Sequence, residues 1–495
     1  MTVSAASSPV DPPAGGVAAP APATVPGRPD GTAGSRRNTE LFLLIAALLV
    51  ITGMSIAVHA SVLGQITTEA LVLPGLLMVL FLATHLGIRF LAPYADPVIF
   101  PAVALINGIS VIFIRRLDLG RLTPDERLTA GVLGGQGSEA LKQLIWATVA
   151  LVGFLGVLAL VRDHRAIARF GYTAGLVGLV LVMLPSVLPS SLSEINGAKL
   201  WIILPGIGQI QPGEFAKLAL MVFFGSYLVA KRDVLSLASR RFLGLDLPRG
   251  RDLGPVIGVW AVSLMVLMFE KDLGTSLMYF GIFIVMLYIA TQRTSWLLIG
   301  LLLFMGGAYS SYLLVARVQL RVAVWLHPFA DPFNTGYQIV QSLFALGSGG
   351  LFGAGPGSGT PNLLSLYAST DFVVAAIGEE IGLFGLTALL MLYALIAARG
   401  IRAALDVRDS FGKLLGGGLA FSIGLQVFVI VGGVSKLIPL TGLTTPFLSY
   451  GGSSLIANWL IIGLLMRISD AGRRPATVKV PPLQLRDAPT EVVRL

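Results

Sequence analysis

Cysteine is absent from the 495 residues of this chain, which excludes disulfides and thiolate metal sites. Histidine occurs only four times and far apart, so a histidine-rich metal site is not expected. Charge is also scarce: Asp, Glu, Lys and Arg make up 12% of the chain, whereas soluble domains carry about 25%. Hydrophobic residues make up 55%. These proportions predict an integral membrane protein, and the chain carries no motif typical of nucleic-acid binding.

Apolar runs of about 20 residues, the length that crosses a bilayer as a helix, recur along the chain. They predict an all-α integral membrane protein, a polytopic bundle of about twelve transmembrane helices. The predicted spans are 41–60, 70–91, 98–114, 141–161, 168–189, 213–230, 254–271, 274–291, 295–316, 371–398, 414–433 and 449–468. Residues 1–38, rich in Ala, Pro and Gly, predict a disordered tail, because they lack the apolar core of a signal peptide. Residues 471–495 form a second tail.

The distribution of Lys and Arg among the loops predicts the orientation in the membrane. Cations are concentrated in 162–169, 231–252, 399–413 and the C-terminal tail. With an even number of spans, both termini are therefore expected in the cytoplasm; Arg115 and Arg116, in a loop assigned outside, are the exception. Segments 190–212, 317–370 and 434–448 then face outward. Because that face lacks ATP and nucleotide sugars, chemistry there needs a substrate that arrives already activated, which favours one carried on a lipid.

The outer segment 317–370 differs from the rest of the chain. It has roughly fifty residues, is rich in Gly and Pro, and contains a single carboxylate, Asp331. Segments of this length inside a compact protein are usually functional or disordered. Interleaved aromatic residues argue against disorder, because they allow the segment to fold back onto a surface. We therefore predict that this loop is the working part of the molecule.

Charged residues at the ends of spans each allow two interpretations. Glu214 and Lys217, three residues apart on one helix face, are either a mutually neutralising pair or a cation for an anionic head group. Arg317 and Arg321 either hold a phosphate or extend to the membrane interface. Asp272, in a polar break between two apolar runs, lies in a re-entrant turn or in an ordinary solvated turn.

Further polar groups lie at membrane depth. Glu379 and Glu380 are adjacent on a span, so at least one is expected to face protein or water. The Pro-, Gly-, Ser- and Thr-rich run 436–454 cannot be regular helix, so it is expected to be buried in protein or to line a wet cavity; a transporter's broken helix has the same signature. His327 either bridges to Asp331 or is an ordinary surface histidine, the interpretation we favour.

Five blocks of residues combine into a recognisable pattern. The blocks are Asn196–Trp201 leading into Gln211–Ala219, Asp272–Thr275, Asp331–Ser342, Thr370–Phe372 with Gly378–Gly385, and Pro439–Gly442 with Pro446–Ser454. Each alone is weak evidence, but in this order they resemble the shape, elongation, division and sporulation family, which includes RodA and FtsW. The family usually has ten spans, so 96–470 corresponds to its core and 39–95 to an added pair of helices.

The resemblance implies a peptidoglycan glycosyltransferase that polymerises lipid II outside the cell membrane, in elongation or division. It also implies a class B penicillin-binding protein as partner, which crosslinks the new strand. By the family's pattern, Asp331 matches the essential loop aspartate, and Glu214, Lys217, Asp272 and Arg321 match polar positions that line one cavity.

This chain departs from the family pattern at several positions. Leu200 stands where Arg is usual, with Lys199 beside it. His327 stands where many members have Asp, Ile430 replaces a common Asn, and Lys436 replaces a common small residue. We hypothesise that Lys436 restores the charge missing at Leu200.

A chemical mechanism follows from the resemblance. The sugar of lipid II is attached to a diphosphate, so the substrate itself carries the energy for the transfer. Asp331 would act as general base on the acceptor hydroxyl, and a single displacement would invert the anomeric centre. Cationic side chains, or a divalent cation such as Mg²⁺ or Mn²⁺, neutralise the departing diphosphate. No other cofactor is implied. The predicted substrate-binding residues are Lys199, Glu214, Lys217, Asp272, Arg321, Gln338, Gln341, Lys436 and Ser449.

The alternatives are a lipid II flippase or secondary transporter, and a non-catalytic scaffold. Twelve spans and charged cavities also describe transporters, but the sequence shows no clear inverted repeat of broken helices. Its conspicuous polarity lies in an outer loop and not at the middle of the membrane. A scaffold would leave the single carboxylate of the loop unexplained.

Overall fold

The computed structural model describes residues 33–129, 131, 138–195, 198–204, 208–236, 240–242, 245–247, 254–270 and 272–475. Residues 1–32 and 476–495 of the predicted tails lie outside these ranges. So do Asn196 and Gly197 of the first motif block. The tail boundary at residue 38 was too late, because residues 33–38 belong to the first helix.

The described residues are predominantly helical. The α-helices α1 to α17 are Ala33–Leu63, Val72–Leu91, Ile99–Gly120, Pro124–Thr129, Glu139–Leu160, Arg165–Ala168, Gly171–Val187, Ser190–Ser193, Pro212–Ser236, Gly254–Glu270, Leu273–Thr291, Ser295–Leu314, Ala316–Leu326, Tyr337–Gly349, Val373–Asp406, Ser410–Val434 and Gly452–Arg473. Short 3-10 helices are Thr68–Leu71, Pro328–Ala330 and Pro361–Ser369. Strands β1 to β6, Glu194–Ile195, Ala198–Lys199, Ile202–Leu204, Gly208–Ile210, Arg240–Phe242 and Leu245–Leu247, pair consecutively as three antiparallel hairpins.

Helix length and composition confirm a helical, multi-pass membrane protein. Ten helices of the described chain are long and apolar enough to cross a bilayer. The two remaining predicted spans, 168–189 and 254–271, are the 17-residue helices α7 and α10. At 1.5 Å per residue each is about 25 Å long, at the lower limit for a span. The predicted span 168–189 extends beyond α7 at both ends, whereas 254–271 agrees with α10 to within one residue.

The centre of the bundle is formed by α3 and α17. Of the apolar window of each helix, 89% and 83% respectively is buried, against 33% for the peripheral α1. Trp459 on α17 contacts Phe100 on α3 and Phe154 on α5, with ring centroids 6.0 and 5.5 Å apart. Helix α1, one of the predicted added pair, packs here too: a Cβ on Gly108 of α3 would lie 2.1 Å from Ile51 Cδ1 of α1. Glycine at 108 therefore allows α1 to approach the core closely.

The loops assigned to the cytoplasm meet at one end of the molecule. Asp96 pairs with Arg473 at 2.8 Å, and His164 contacts Asp409 at 2.8 Å. The Tyr94 N–H donates to Asp470 at 2.9 Å. The first and third contacts link the loop before α3 with the last helix, and the second links two predicted inner loops with each other.

Arg116, one of the two cations that depart from the Lys/Arg pattern of the loops, has a structural explanation. Arg116 is buried, and its Nε donates to Glu380 at 2.6 Å. Glu379 is also buried and accepts from the backbone and hydroxyl of Thr360, each at 2.9 Å. Arg116 is therefore an internal ion-pair partner and carries little topological information. Both glutamates face protein, in agreement with the expectation that at least one would.

The segment 317–370 is largely ordered structure, comprising α13, α14 and two 3-10 helices. Its Gly-rich part docks where α15 is interrupted at Gly382 (φ +66°). Leu383 N–H donates to Gly350 O at 2.9 Å, and Ala354 N–H donates to Glu379 O at 2.9 Å. The aromatic residues contribute unequally to this order. Phe333 is 85% exposed, whereas Trp325 Nε1 donates to Lys436 O at 3.0 Å and Tyr337 OH donates to Leu363 O at 2.6 Å. The prediction of an ordered segment is confirmed, and aromatic contacts account for part of the order.

Candidate active site

A cavity of about 1190 Å³ opens among the segments predicted to face outward. Its wall comes from the start of α5, the β1–β4 hairpins, Asp272, α13, the start of α14, residues 367–371 and the non-helical run before α17. This run, expected either to be buried in protein or to line a wet cavity, contributes to the cavity wall. The wall combines cations, carboxylates and the three tryptophans Trp146, Trp201 and Trp325, so it suits an amphiphilic substrate with sugar and phosphate groups.

Arg321 is the best-anchored cation of the cavity. Its Nη1 donates to the carbonyls of Leu440 and Thr441 at 3.0 and 2.8 Å, which fixes the guanidinium against the non-helical run. Two carboxylates share its surroundings, Asp272 and Asp371. Asp272 is occupied locally, because it accepts from Thr275 N–H at 3.0 Å as the cap of α11. The remaining donors of Arg321 are the ones suited to an anionic ligand.

Asp371 is a site residue that sequence reasoning did not select, although it lies in a motif block. It lines the cavity beside Arg321. Burial raises its pKa to about 6, although the neighbouring Arg321 opposes the shift. Its charge therefore changes close to neutral pH, unlike that of an ordinary aspartate.

Asp331 lies at the edge of the cavity and is not part of its lining. Its carboxylate accepts from Thr335 N–H and Oγ1, both at 3.1 Å, and from Asn334 Nδ2 at 3.0 Å. These bonds, the Thr335 N–H first, lower the pKa of Asp331, so the carboxylate is ionised at neutral pH. His327 is exposed, and the described residues show no hydrogen bond between it and Asp331. The surface-histidine interpretation fits this geometry.

Thr335, which holds Asp331, lies between two cavities. It lines the large cavity and also a smaller one of about 320 Å³. Gln338 and Tyr367 line both as well. The carboxylate of Asp331 is therefore hydrogen-bonded to a residue of the wall that separates the two cavities.

Glu214 and Lys217 form the pair that their spacing predicts, but they lie behind the cavity wall. Lys217 Nζ donates to Glu214 at 3.0 Å and to Gln426 Oε1 at 2.8 Å. Gln426 Nε2 in turn donates to the carbonyl of Thr444, a cavity-lining residue, at 2.8 Å. Sequence reasoning missed Gln426, although a lone amide inside an apolar span is itself a signal of function.

The other predicted site residues divide into two groups. Gln338 and Lys436 line the cavity. Lys199, Gln341 and Ser449 do not: Lys199 Nζ donates to Leu188 O at 3.4 Å, and Ser449 Oγ donates to Thr370 O at 2.6 Å. Ser449 thus braces the chain next to Asp371.

Leu200 and Lys436, the two departures from the family pattern suggested to compensate one another, line the same cavity. Ile430 is buried in the apolar core. Within the described ranges no three His, Asp or Glu side chains are grouped to hold a metal ion without help from a substrate.

Comparison with known proteins adds independent evidence. Residues 103–474 match the family model of the cell cycle proteins FtsW, RodA and SpoVE. The chain is 48% identical over 445 residues to the peptidoglycan glycosyltransferase RodA of Mycobacterium tuberculosis, covering 89% of this chain and 92% of that protein. It is 34% identical over 322 residues to the probable peptidoglycan glycosyltransferase FtsW of Geobacter metallireducens, covering 65% and 82%.

Solved structures show the same fold. A chain from a peptidoglycan synthase complex that coordinates polymerisation and crosslinking superposes with a TM-score of 0.57 at 27% identity, over 76% of this chain and 97% of that one. A mutant of the rod shape determining protein RodA of Thermus thermophilus gives 0.50 at 24% identity, over 77% and 99%. The chain therefore belongs to the family of FtsW, RodA and SpoVE cell cycle proteins.

Proposed function

We propose that this protein is a peptidoglycan glycosyltransferase that polymerises lipid II on the outer face of the cell membrane, with Asp331 as the general base. The names of its relatives, RodA at 48% identity and FtsW at 34%, support the activity. A flippase is the weaker candidate, because neither those names nor the outward position of the polar residues favours transport.

The observation that carries the proposal is the hydrogen bonding of the Asp331 carboxylate to Thr335, a residue that lines two cavities. A polymerase has to bind a donor and an acceptor together, with the base between them. Thr335, bonded to the Asp331 carboxylate, lines both spaces. The larger cavity, with its cations, suits the diphosphate-bearing donor, and the smaller suits the sugar end of the acceptor.

The chemistry follows from this arrangement. The acceptor hydroxyl transfers its proton to the ionised Asp331 carboxylate while its oxygen attacks the anomeric carbon of the donor. The bond from that carbon to the diphosphate oxygen breaks, so the lipid diphosphate leaves with the electron pair and the centre inverts. Arg321, together with Arg317 on the same cavity wall, offsets the negative charge that develops on the leaving group.

A divalent cation, Mg²⁺ or Mn²⁺, remains part of the proposal. Such ions usually bind through one or two carboxylates and the phosphates of the substrate. Asp371 is the carboxylate suited to this, because Asp272 is occupied by Thr275. The ion would supply further neutralisation of the diphosphate.

Membrane orientation and partner complete the proposal. Both termini lie in the cytoplasm, which is supported by the contacts among the predicted inner loops at one end and the cavity at the other. The partner is a class B penicillin-binding protein that crosslinks the strands, which is supported by the likeness to a chain of a synthase complex.

The test is glycan synthesis from lipid II by the purified protein together with its candidate penicillin-binding protein. We expect long glycan strands. Absence of strands, combined with movement of lipid II across vesicle membranes that contain the protein, would replace this proposal with the flippase.

A further inference from the structure

Lys436 has an unusual backbone conformation. Its φ is +63°, and only Gln292 and Phe447 share a positive φ among the described non-glycine residues. Positive φ brings Cβ close to the backbone, so glycine normally occupies such positions. The lysine therefore costs free energy that a glycine would not.

The conformation is required by the end of α16. After Val434 the chain closes the helix through Lys436 N–H to Gly433 O at 3.3 Å and Leu437 N–H to Gly432 O at 2.8 Å. Such helix ends use a left-handed residue, most often glycine. Trp325 Nε1 then donates to the Lys436 carbonyl at 3.0 Å, which ties the turn to α13.

No structural contact of its ammonium group with the described residues explains why a lysine occupies position 436. Within the part of the chain that the structure describes, Lys436 Nζ has no hydrogen-bond or ion-pair partner, and the residue lines the large cavity. Lys217 shows the contrast, since it donates to both Glu214 and Gln426. A strained residue with an unused charge on a cavity wall indicates a role in binding.

We propose that Lys436 is a substrate-binding residue whose ammonium contacts the diphosphate of a polyprenyl-linked substrate in the large cavity. Arg317, also without a partner among the described residues, lines the same wall, so the two cations present a positive surface to one ligand. With Leu200 in place of a cation, the hairpin side of the cavity carries no charged residue among those described. The inference rests on the proposed function for the identity of the ligand, but its test does not require turnover.

The test is direct binding of a polyprenyl diphosphate and of the matching neutral polyprenol to the full-length protein in nanodiscs of zwitterionic lipid. Lys436→Gly removes the charge and relieves the backbone, whereas Lys436→Arg keeps the charge. Lys413→Gln, an exposed lysine at the opposite end of α16, controls for net charge.

We expect Lys436→Gly to bind the diphosphate about tenfold more weakly, with polyprenol binding unchanged and an unfolding temperature equal to or above that of the wild type. Lys436→Arg and Lys413→Gln should stay within about twofold of the wild type. Equal affinity of the wild type and Lys436→Gly for the diphosphate would overturn the proposal, as would an equal loss for polyprenol.

A second experiment distinguishes recognition of the polyprenyl diphosphate from recognition of membrane-lipid phosphates in general. Phosphatidylglycerol added to the nanodiscs should not abolish the difference between the wild type and Lys436→Gly; if it does, the site recognises anionic lipid and the proposal fails. If the wild type makes no glycan strands but its diphosphate affinity still depends on Lys436, the proposed function is wrong and this inference stands.

Discussion

At the scale of single residues, the site is a balance of charges inside one cavity. Arg321 is fixed by two carbonyls, and Asp371 lies beside it with a pKa raised to about 6 by burial. A cavity that binds diphosphate gains from each cation and loses from each ionised carboxylate. Asp371 is the carboxylate whose charge changes within the physiological range.

This leads to a prediction about pH. As the pH rises through about 6, Asp371 ionises and offsets part of the positive charge of the cavity. In buffer without divalent cations, which the ionised Asp371 would otherwise bind, the affinity of the wild type for a polyprenyl diphosphate should therefore fall several-fold more between about pH 5 and pH 7 than that of Asp371→Asn. Binding titrations on both proteins measure this difference. Identical pH profiles would show that Asp371 does not titrate beside the ligand.

Individual site residues also show what could and could not be predicted from the sequence. Gln338 was found because it belongs to a motif block, and Arg321 because it is a cation at the start of the outer segment; the structure brings both to the cavity. Gln426 and Trp146 were missed, because one lies in an apolar run and the other carries no charge. The strain at Lys436 could not be predicted, since it arises only where the end of α16 meets Trp325.

At the scale of elements, the Gly-rich part of the outer segment and helix α15 form one unit. The interruption at Gly382 frees backbone groups, and residues 350–355 satisfy them. Glu380 adds a bond from Gly357 N–H at 2.8 Å. Hydropathy predicted the span but not the interruption, because the bonds join residues about thirty positions apart and depend on a positive φ.

Gly382→Ala should therefore destabilise the protein. A Cβ at this position would lie 2.2 Å from Gly353 N, and the residue adopts φ +66°. We expect a loss of about 2 kcal/mol or more in the free energy of unfolding, together with faster proteolysis of the outer segment. Gly156→Ala in α5 is the matched control, because a Cβ there meets nothing within 4 Å. Equal unfolding temperatures for the two variants would contradict the docking described here.

At the scale of the whole molecule, the two ends of the bundle have different characters. One end contains ion pairs between predicted inner segments, such as Asp96–Arg473, and the other end contains the cavity. Hydropathy predicted the spans, and the Lys/Arg pattern predicts an orientation that places the cavity on the outer face. Arg116 departed from that pattern because it pairs with Glu380, 264 residues away, a contact that no local pattern reveals.

The absence of cysteine makes the topology directly testable. Phe333→Cys, at an exposed position of the outer segment, should react with a membrane-impermeant maleimide in intact cells. Arg408→Cys, at an exposed position of a predicted inner loop, should react only after permeabilisation. The reverse pattern would invert the topology and move Asp331 into the cytoplasm.

The measurement that tests the central claim most directly is the rate of glycan polymerisation from lipid II by Asp331→Asn. Loss of the general base should lower the rate at least about 100-fold, with folding and partner binding retained. Thr335→Val, which removes one hydrogen bond to the carboxylate but keeps the carboxylate, should cost much less. Polymerisation by Asp331→Asn at the wild-type rate would contradict the account and leave Asp331 a structural residue of its loop.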